Sequence, residues 1–285
     1  MQSPVGGAIG VHGSAEQQAR LLGDSDGYCV AFSEKAHGSD LAAVETRGEI
    51  VRDQIVVTGT KVWLARADTS SAALVLCQTE PDHGLSCVLV PLQANSVDLR
   101  PIREMTGHAD YWEVTFDAAI APLDNLIGGR GHGLQVAMTT LTFGRSSQVT
   151  STGQVSPTSL TDTGSPPEDL ESEYWALVTT ARRCGRTLDP LIRQQLAAAY
   201  AQLRILQLQP HAATTPILWS QYRQQLGNIA LEVLGANALL RPDAEAYATS
   251  YWQHVWLSAP GEALANGTAD IQRTLLAEHV LDLPT

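Results

Sequence analysis

A chain of 285 residues, 44 % hydrophobic and 17 % charged, is long enough to bury a substantial core and too apolar to be disordered throughout. Eighteen Lys plus Arg against 30 Asp plus Glu leave a formal charge of -12, which repels nucleic-acid phosphates and anionic lipid headgroups and removes both from the expected partners. Cys29, Cys77, Cys87 and Cys184 show no C-x-x-C spacing and the histidines no H-x-H or H-E-x-x-H pair, so neither a metal site nor a disulfide framework is expected.

The opening MQSPVGGAIGVHG lacks the charged start and apolar core of a secretory signal, and no apolar run approaches the ~18 residues of a membrane span; a cytoplasmic protein is the expectation. Ser14 and Gln17 have capping-box spacing before AEQQARLL, which predicts one short helix. From residue 27 to 127 short β-branched and apolar runs follow: Ile50 to Trp63, Ala73 to Thr79, Leu85 to Leu92, Val97 to Ile102 and Tyr111 to Phe116. Turn residues such as Gly59, Pro81, Gly84 and Gly107 divide them, as in an antiparallel β domain of barrel or sandwich type.

After the glycine-rich residues 128 to 133, GGRGHG, the pattern turns helical. GGRGHG lacks the Gly-Lys-Ser/Thr ending of a phosphate loop and reads as a connector. A first helix is predicted over Leu134 to Phe143. Seventeen of the 27 residues from Ser146 to Ser172 are Ser, Thr, Gly or Pro, which predicts a mobile linker. Helices are then predicted over Leu170 to Gly185, Pro190 to Gln209, Pro216 to Leu240, Asp243 to Leu257 and Thr268 to Leu281, with Asp189-Pro190 and Thr215-Pro216 as caps. Leu196, Ala199, Leu203 and Leu206, like Leu226, Ile229, Ala230 and Val233, recur at three and four residues, the stripe of a helical bundle.

Three motif groups carry a resemblance. Phe32-Ser33-Glu34-Lys35-Ala36-His37-Gly38-Ser39-Asp40-Leu41 with Val57-Thr58-Gly59-Thr60-Lys61-Val62-Trp63 is the first. Met105-Thr106-Gly107 with Glu113-Val114-Thr115-Phe116-Asp117, Pro122, Asn125 and Gly128 is the second, and Gly267-Thr268-Ala269-Asp270-Ile271-Gln272-Arg273 with Glu278-His279-Val280-Leu281 the third. In this order and at these separations they resemble the acyl-CoA dehydrogenase family over nearly the whole chain.

That resemblance implies an α+β fold: an antiparallel β-barrel or sandwich domain over 27–127, then a C-terminal helical bundle over 128–285 with a flexible segment at 146–172. Residues 1–26 would be the remnant of an N-terminal helical domain that is mostly missing. It further implies FAD held between subunits of a homo- or hetero-oligomer, an acyl thioester of coenzyme A or a carrier protein as substrate, and an electron-transfer flavoprotein as electron acceptor. The family removes an α-proton with a carboxylate while a hydride leaves the β-carbon, and it polarises the thioester carbonyl to stabilise the developing enolate.

Carried over residue by residue, Phe32 and Ser33 would lie against the flavin, Gly38 would admit its pyrophosphate and Ser39 would offer a hydroxyl. Trp63 would cover the ring, and Arg182 would reach the pyrophosphate of a neighbouring subunit's FAD. Gly267, Thr268 and Gln272 complete the cofactor set. The departures are as informative. The usual catalytic glutamate position before Gly267-Thr268 is Asn266, and a second position used by some members is Gly144; neither is a carboxylate. Ala65 replaces a Ser or Thr at the flavin edge and Cys184 a Phe beside Arg182. Glu232 and Ala236 stand where Gln and Gly approach the adenosine diphosphate, and Lys35 and His37 are expected either to touch phosphate or to be solvated. The expectation is a flavoprotein oxidoreductase subunit whose base comes from a second acyl-CoA dehydrogenase-like chain. The alternatives are a catalytically silent FAD-binding or structural subunit and a repurposed flavoenzyme.

Overall fold

The computed structural model describes residues 3–24, 27–80, 84–150, 170–209, 214–240, 250–265 and 268–283. The chain divides into two compact units, 1–147 and 148–285.

The first unit opens with two helices. Helix α1 (Pro4–His12) starts at a proline behind Ser3, whose Oγ accepts the Gly6 N–H at 3.0 Å. Its Gly-rich sequence hid it from the periodicity argument. Helix α2 (Ala15–Leu21) carries the expected capping box: the Ser14 N–H donates to Gln17 Oε1 at 2.9 Å and the Gln17 N–H to Ser14 Oγ at 3.2 Å. Gln17 Nε2 also donates to the carbonyls of Asp124 and Leu126, at 2.9 and 2.8 Å, and so ties α2 to the end of the sheet.

Eight strands follow: β1 (Tyr28–Ala31), β2 (Arg47–Val51), β3 (Gln54–Ala65), β4 (Ala72–Glu80), β5 (Gly84–Pro91), β6 (Val97–Ile102), β7 (Tyr111–Pro122) and β8 (Leu126–Ile127). Their order is β6-β7-β3-β2-β4-β5-β8, with β1 alongside β4. Most pairings are antiparallel, as expected, but β1 and β2 each pair with β4 in parallel, and the path from β6 to β8 does not close into a barrel.

The run predicted as one strand from Ile50 is two, because the chain turns at Arg52 with a left-handed φ of 57°. Gly59 is no turn either. It lies inside β3 at a register shift with φ of 153°, and a Cβ there would fall 2.6 Å from Thr46 Oγ1.

Strand β4 is apolar without alternation because both its faces are buried. Val75 and Cys77 join Ile55, Val57, Leu64 and Phe116 in one core. Leu74 and Leu76 join a second core with Ile9 of α1, Phe32, and Val136 and Ala137 of helix α3 (Gly133–Thr150).

The second unit is a bundle: α4 (Leu170–Arg183), α5 (Pro190–Leu208), α6 (Thr215–Leu234), α7 (Ser250–Ala265) and α8 (Ala269–His279). The predicted stripes meet in its core, where Leu177, Leu196, Ala199, Leu203, Leu226 and Ala230 are buried. Asp189 caps α5 as expected, its Oδ1 accepting the Leu191 N–H at 2.9 Å. Thr215 does not cap α6; its hydroxyl donates to the Gln209 carbonyl at 2.7 Å instead. The last predicted helix but one continues through Pro260 to Ala265. Of the expected flexible segment, 151–169 lies outside the described residues, while 146–150 close α3 and 170–172 open α4. No helix among the described residues is long and apolar enough to cross a membrane.

Candidate functional site

In the first unit, the loop after β1 and the far end of β3 come together. Phe32 is 4 % exposed, with its ring in the apolar core and its carbonyl accepting from the buried Lys61 ammonium at 2.9 Å. Ser33 is half-buried: its carbonyl accepts the Val62 N–H at 2.9 Å and its Oγ donates to the Gly38 carbonyl at 3.3 Å. Between them Glu34 and His37 exchange backbone hydrogen bonds of 3.0 and 3.2 Å, closing a tight turn. Gly38 and Ser39 are exposed, and a Cβ built on Gly38 would meet nothing within 4 Å. The protein itself therefore gives no steric reason for glycine there. Asp40 ends the loop, its Oδ1 accepting the Ala42 N–H at 3.2 Å.

Trp63, next to Val62, is turned outward and 57 % exposed, with φ of 64° at a register shift between Lys61 and Leu64. Its ring meets Tyr111 edge-on at 6.0 Å. Trp63 is no core filler. Its indole is exposed one residue on from Val62, whose N–H donates to the Ser33 carbonyl, and Ala65 is exposed two residues further on.

The loop is fastened by contacts between basic and acidic side chains. Lys35 Nζ lies 2.7 Å from Glu113 Oε2 of β7, and His37 Nε2 lies 3.5 Å from Glu45 Oε1. Both basic side chains thus have carboxylate neighbours, and that of Lys35 is also largely exposed, in keeping with the solvated alternative. A third pair is buried. Lys61 has no exposed surface, and its Nζ lies 2.8 Å from Glu34 Oε1. Burial alone would raise the Glu34 pKa, but hydrogen bonds from Lys61, Thr46 and the backbone of Glu45 and Thr46 outweigh it and hold the carboxyl at about 2. The Lys61 ammonium is pushed below its usual range by burial, an effect that Glu34 opposes. The sequence reading placed both residues in its first motif group but gave neither a role. The available signal was a charged residue at an inward position of an apolar strand, 27 residues from its partner. Beside the loop opens a depression of about 840 Å³ lined by His37, Asp40, Glu45, Gln78, Leu134 and Gln135.

In the second unit, Arg182 stands exposed at the end of α4, with no ion pair among the described residues. The Gly185 N–H donates to its carbonyl at 3.0 Å. Thr268 caps α8, Oγ1 accepting the Ile271 N–H at 3.3 Å, and Gln272 in the first turn is 5 % exposed. Asn266 and Gly267 lie outside the described residues. The carboxylate of Glu232 accepts from Gln195 Nε2 at 2.9 Å and its carbonyl from Arg186 Nη2 at 3.1 Å, so this unexpected acid has neighbours of its own.

Deeper in the bundle is a second cluster that sequence reasoning missed. Arg223 of α6 pairs with Glu173 of α4 and, at 3.1 Å, with Glu262 of α7, and the Tyr251 hydroxyl donates to Glu173 at 2.6 Å. Burial works against the Arg223 charge, but the two carboxylates outweigh it and raise its pKa.

Residues 29–119 match the middle domain of acyl-CoA dehydrogenases. The chain is 35 % identical over 293 residues to Acyl-CoA dehydrogenase IpdE1 of Mycobacterium tuberculosis, a match covering 95 % of this chain and 72 % of that protein. Among solved structures, the Tcur3481-Tcur3483 steroid ACAD shares 20 % identity over 99 % of this chain and 76 % of its own, with a TM-score of 0.84. The ChsE4-ChsE5 complex from Mycobacterium tuberculosis shares 20 % identity over the same fractions, with a TM-score of 0.79. At such identity the likeness to both is one of fold.

Proposed function

Because this chain belongs to the acyl-CoA dehydrogenase family, we propose that it is the cofactor-binding partner in a two-chain dehydrogenase acting on an acyl thioester, with the proton-accepting carboxylate supplied by the other chain. The observation that carries the reading is the surface at Ser33, Gly38 and Trp63: a half-buried backbone, a glycine with open space before it and an indole held out in water. An FAD would satisfy all three, since an aromatic face, a polar edge and a pyrophosphate are what they separately fit. Ser39 would add a hydroxyl, and Arg182, exposed and without an ion pair among the described residues, would hold the pyrophosphate of an FAD on a neighbouring subunit. Gly267, Thr268, which caps α8, and Gln272 within it are the remaining cofactor contacts proposed for the second unit.

When bound, FAD supplies a two-electron acceptor for the hydride from the β-carbon, and an electron-transfer flavoprotein would then take the electrons onward. The remaining steps fall to side chains. The carboxamide of Asn266 accepts no proton near neutral pH, and Gly144 offers no group at all, so the α-proton must go to a carboxylate from elsewhere. The two-chain names of the ChsE4-ChsE5 and Tcur3481-Tcur3483 proteins support a partner chain, and the word steroid in the latter supports a bulky acyl group.

A purified complex of this chain with its partner should be yellow, and FAD added to the stripped protein should raise its melting temperature by mass action. A colourless preparation with no thermal response to FAD would leave the silent-subunit reading, which the absence of a carboxylate at both base positions favours. In the flavin-loaded protein, Asn266→Glu should speed flavin bleaching by an acyl-CoA by about a hundredfold, the scale of a positioned general base. No bleaching across a panel of acyl-CoAs would mean that residue 266 does not face the α-carbon.

A further inference from the structure

Lys61 has no part in the surface just described, yet it is fully buried in the strand beneath it. Its ammonium donates to two acceptors, Glu34 Oε1 at 2.8 Å and the Phe32 carbonyl at 2.9 Å. Glu34 is held in turn by the Thr46 hydroxyl at 2.6 Å and by the N–H groups of Thr46 and Glu45 at 2.9 and 2.7 Å. Apolar side chains of similar volume usually stabilise a core as well as a buried ion pair does, so cohesion alone is a weak reason for this pair.

The atoms it grips give a better one. No peptide bond among the described residues is cis, and in a trans peptide the C=O and the following N–H point in opposite directions. With the Phe32 oxygen drawn down onto Lys61, the Ser33 N–H is directed away from the buried ammonium. That N–H has no acceptor among the described residues, while the Ser33 carbonyl on the next peptide is fixed by the Val62 N–H. Both peptide planes around Ser33 are therefore set by β3, one by Lys61 and one by Val62, and the next residue along the strand is Trp63. A half-buried backbone donor held in a fixed direction, with no protein acceptor among the described residues, is left for solvent or a ligand to meet.

We propose that Lys61 is a positioning residue: held in the core by Glu34, its ammonium orients the Phe32–Ser33 peptide so that the Ser33 N–H stands at the surface as a ready donor to an acceptor atom of the bound flavin. This rests on the flavin reading above and adds the part of the protein that prepares the site before the cofactor arrives.

Two variants of the full chain, studied with its partner, test it. Lys61→Met removes the ammonium; Lys61→Met with Glu34→Gln removes it while leaving no charge buried. FAD is titrated by fluorescence quenching and by its visible absorption bands, and amide exchange is followed in residues 32–39 and at Val62. For the double variant, still melting cooperatively, the expected result is an FAD Kd about tenfold weaker and flavin bands moved toward those of free FAD. In the unsubstituted protein the Ser33 amide should exchange quickly and become protected at saturating FAD. A folded double variant with unchanged Kd and bands, or a Ser33 amide left unprotected by bound FAD, overturns the proposal. If the unsubstituted protein takes up no FAD, the flavin reading falls, and exchange alone judges the latch. Faster exchange at Glu34, His37 and Val62 in the double variant supports it; unchanged rates overturn it.

Discussion

Glu34 is a carboxylate inside a protein, and its acidity has a direction that can be measured. Its folded pKa of about 2 lies below the ordinary 4.5, so the stability it brings is complete above 4.5 and is lost as the pH falls from there through about 2. Glu34→Gln should lower stability by about 3 kcal/mol at pH 7, because it leaves the Lys61 ammonium without its counter-charge, and the gap should close between pH 4.5 and 2. Urea midpoints at pH 7 and pH 3 check this; an equal gap at both would mean that the carboxylate is not the stabilising form. The loop around it entered the sequence reading only through the family resemblance that Gly38-Ser39-Asp40 helps to carry. The Glu34–Lys61 contact was not, since nothing in the spacing links residues 27 apart. Phe32 shows the same limit: its identity placed it in a motif, but only the packing shows that its ring belongs to the core and its carbonyl to Lys61.

Among the helices, one guanidinium holds three elements together. Arg223 of α6 meets Glu173 of α4 and Glu262 of α7, so its loss strands two carboxylates in the bundle. Arg223→Met should cost about 3–5 kcal/mol, read from the urea midpoint at neutral pH. Asp189→Ala, which removes one side-chain acceptor at the start of α5, should cost only about 1 kcal/mol. A larger loss from the cap than from the arginine would contradict the burial of the cluster. Helix starts with a polar cap and a proline were readable from sequence where the chemistry is local, as at Asp189-Pro190. At Thr215 the same dipeptide pattern misled, because the hydroxyl found a carbonyl six residues back that no local rule anticipates. The split between β2 and β3 was hidden for a related reason: Arg52 takes the left-handed turn position that glycine or asparagine usually marks.

Across the whole molecule, each unit has its own buried cores and its own buried ion pair: Lys61 with Glu34 in residues 1–147, and Arg223 with Glu173 in residues 148–285. Unfolding followed by calorimetry should depart from a single two-state step, with Lys61→Met lowering one component and Arg223→Met the other. One transition moved equally by both variants would show that the units melt together. The order of a sheet unit followed by a bundle was visible in the texture of the chain, because short β-branched and apolar runs divided by turn residues give way after residue 128 to helical patterns with stripes at three and four residues. The open sheet and its parallel pairings were not, since strand neighbours far apart in sequence leave no periodic trace. A tryptophan at φ of 64° bears a steric penalty that glycine would escape, on the order of 1–3 kcal/mol in a fold whose net margin is only about 5–15. Trp63→Gly should therefore leave the urea midpoint close to its original value, the relief of the left-handed backbone offsetting the lost edge contact with Tyr111 and the added freedom of the unfolded chain.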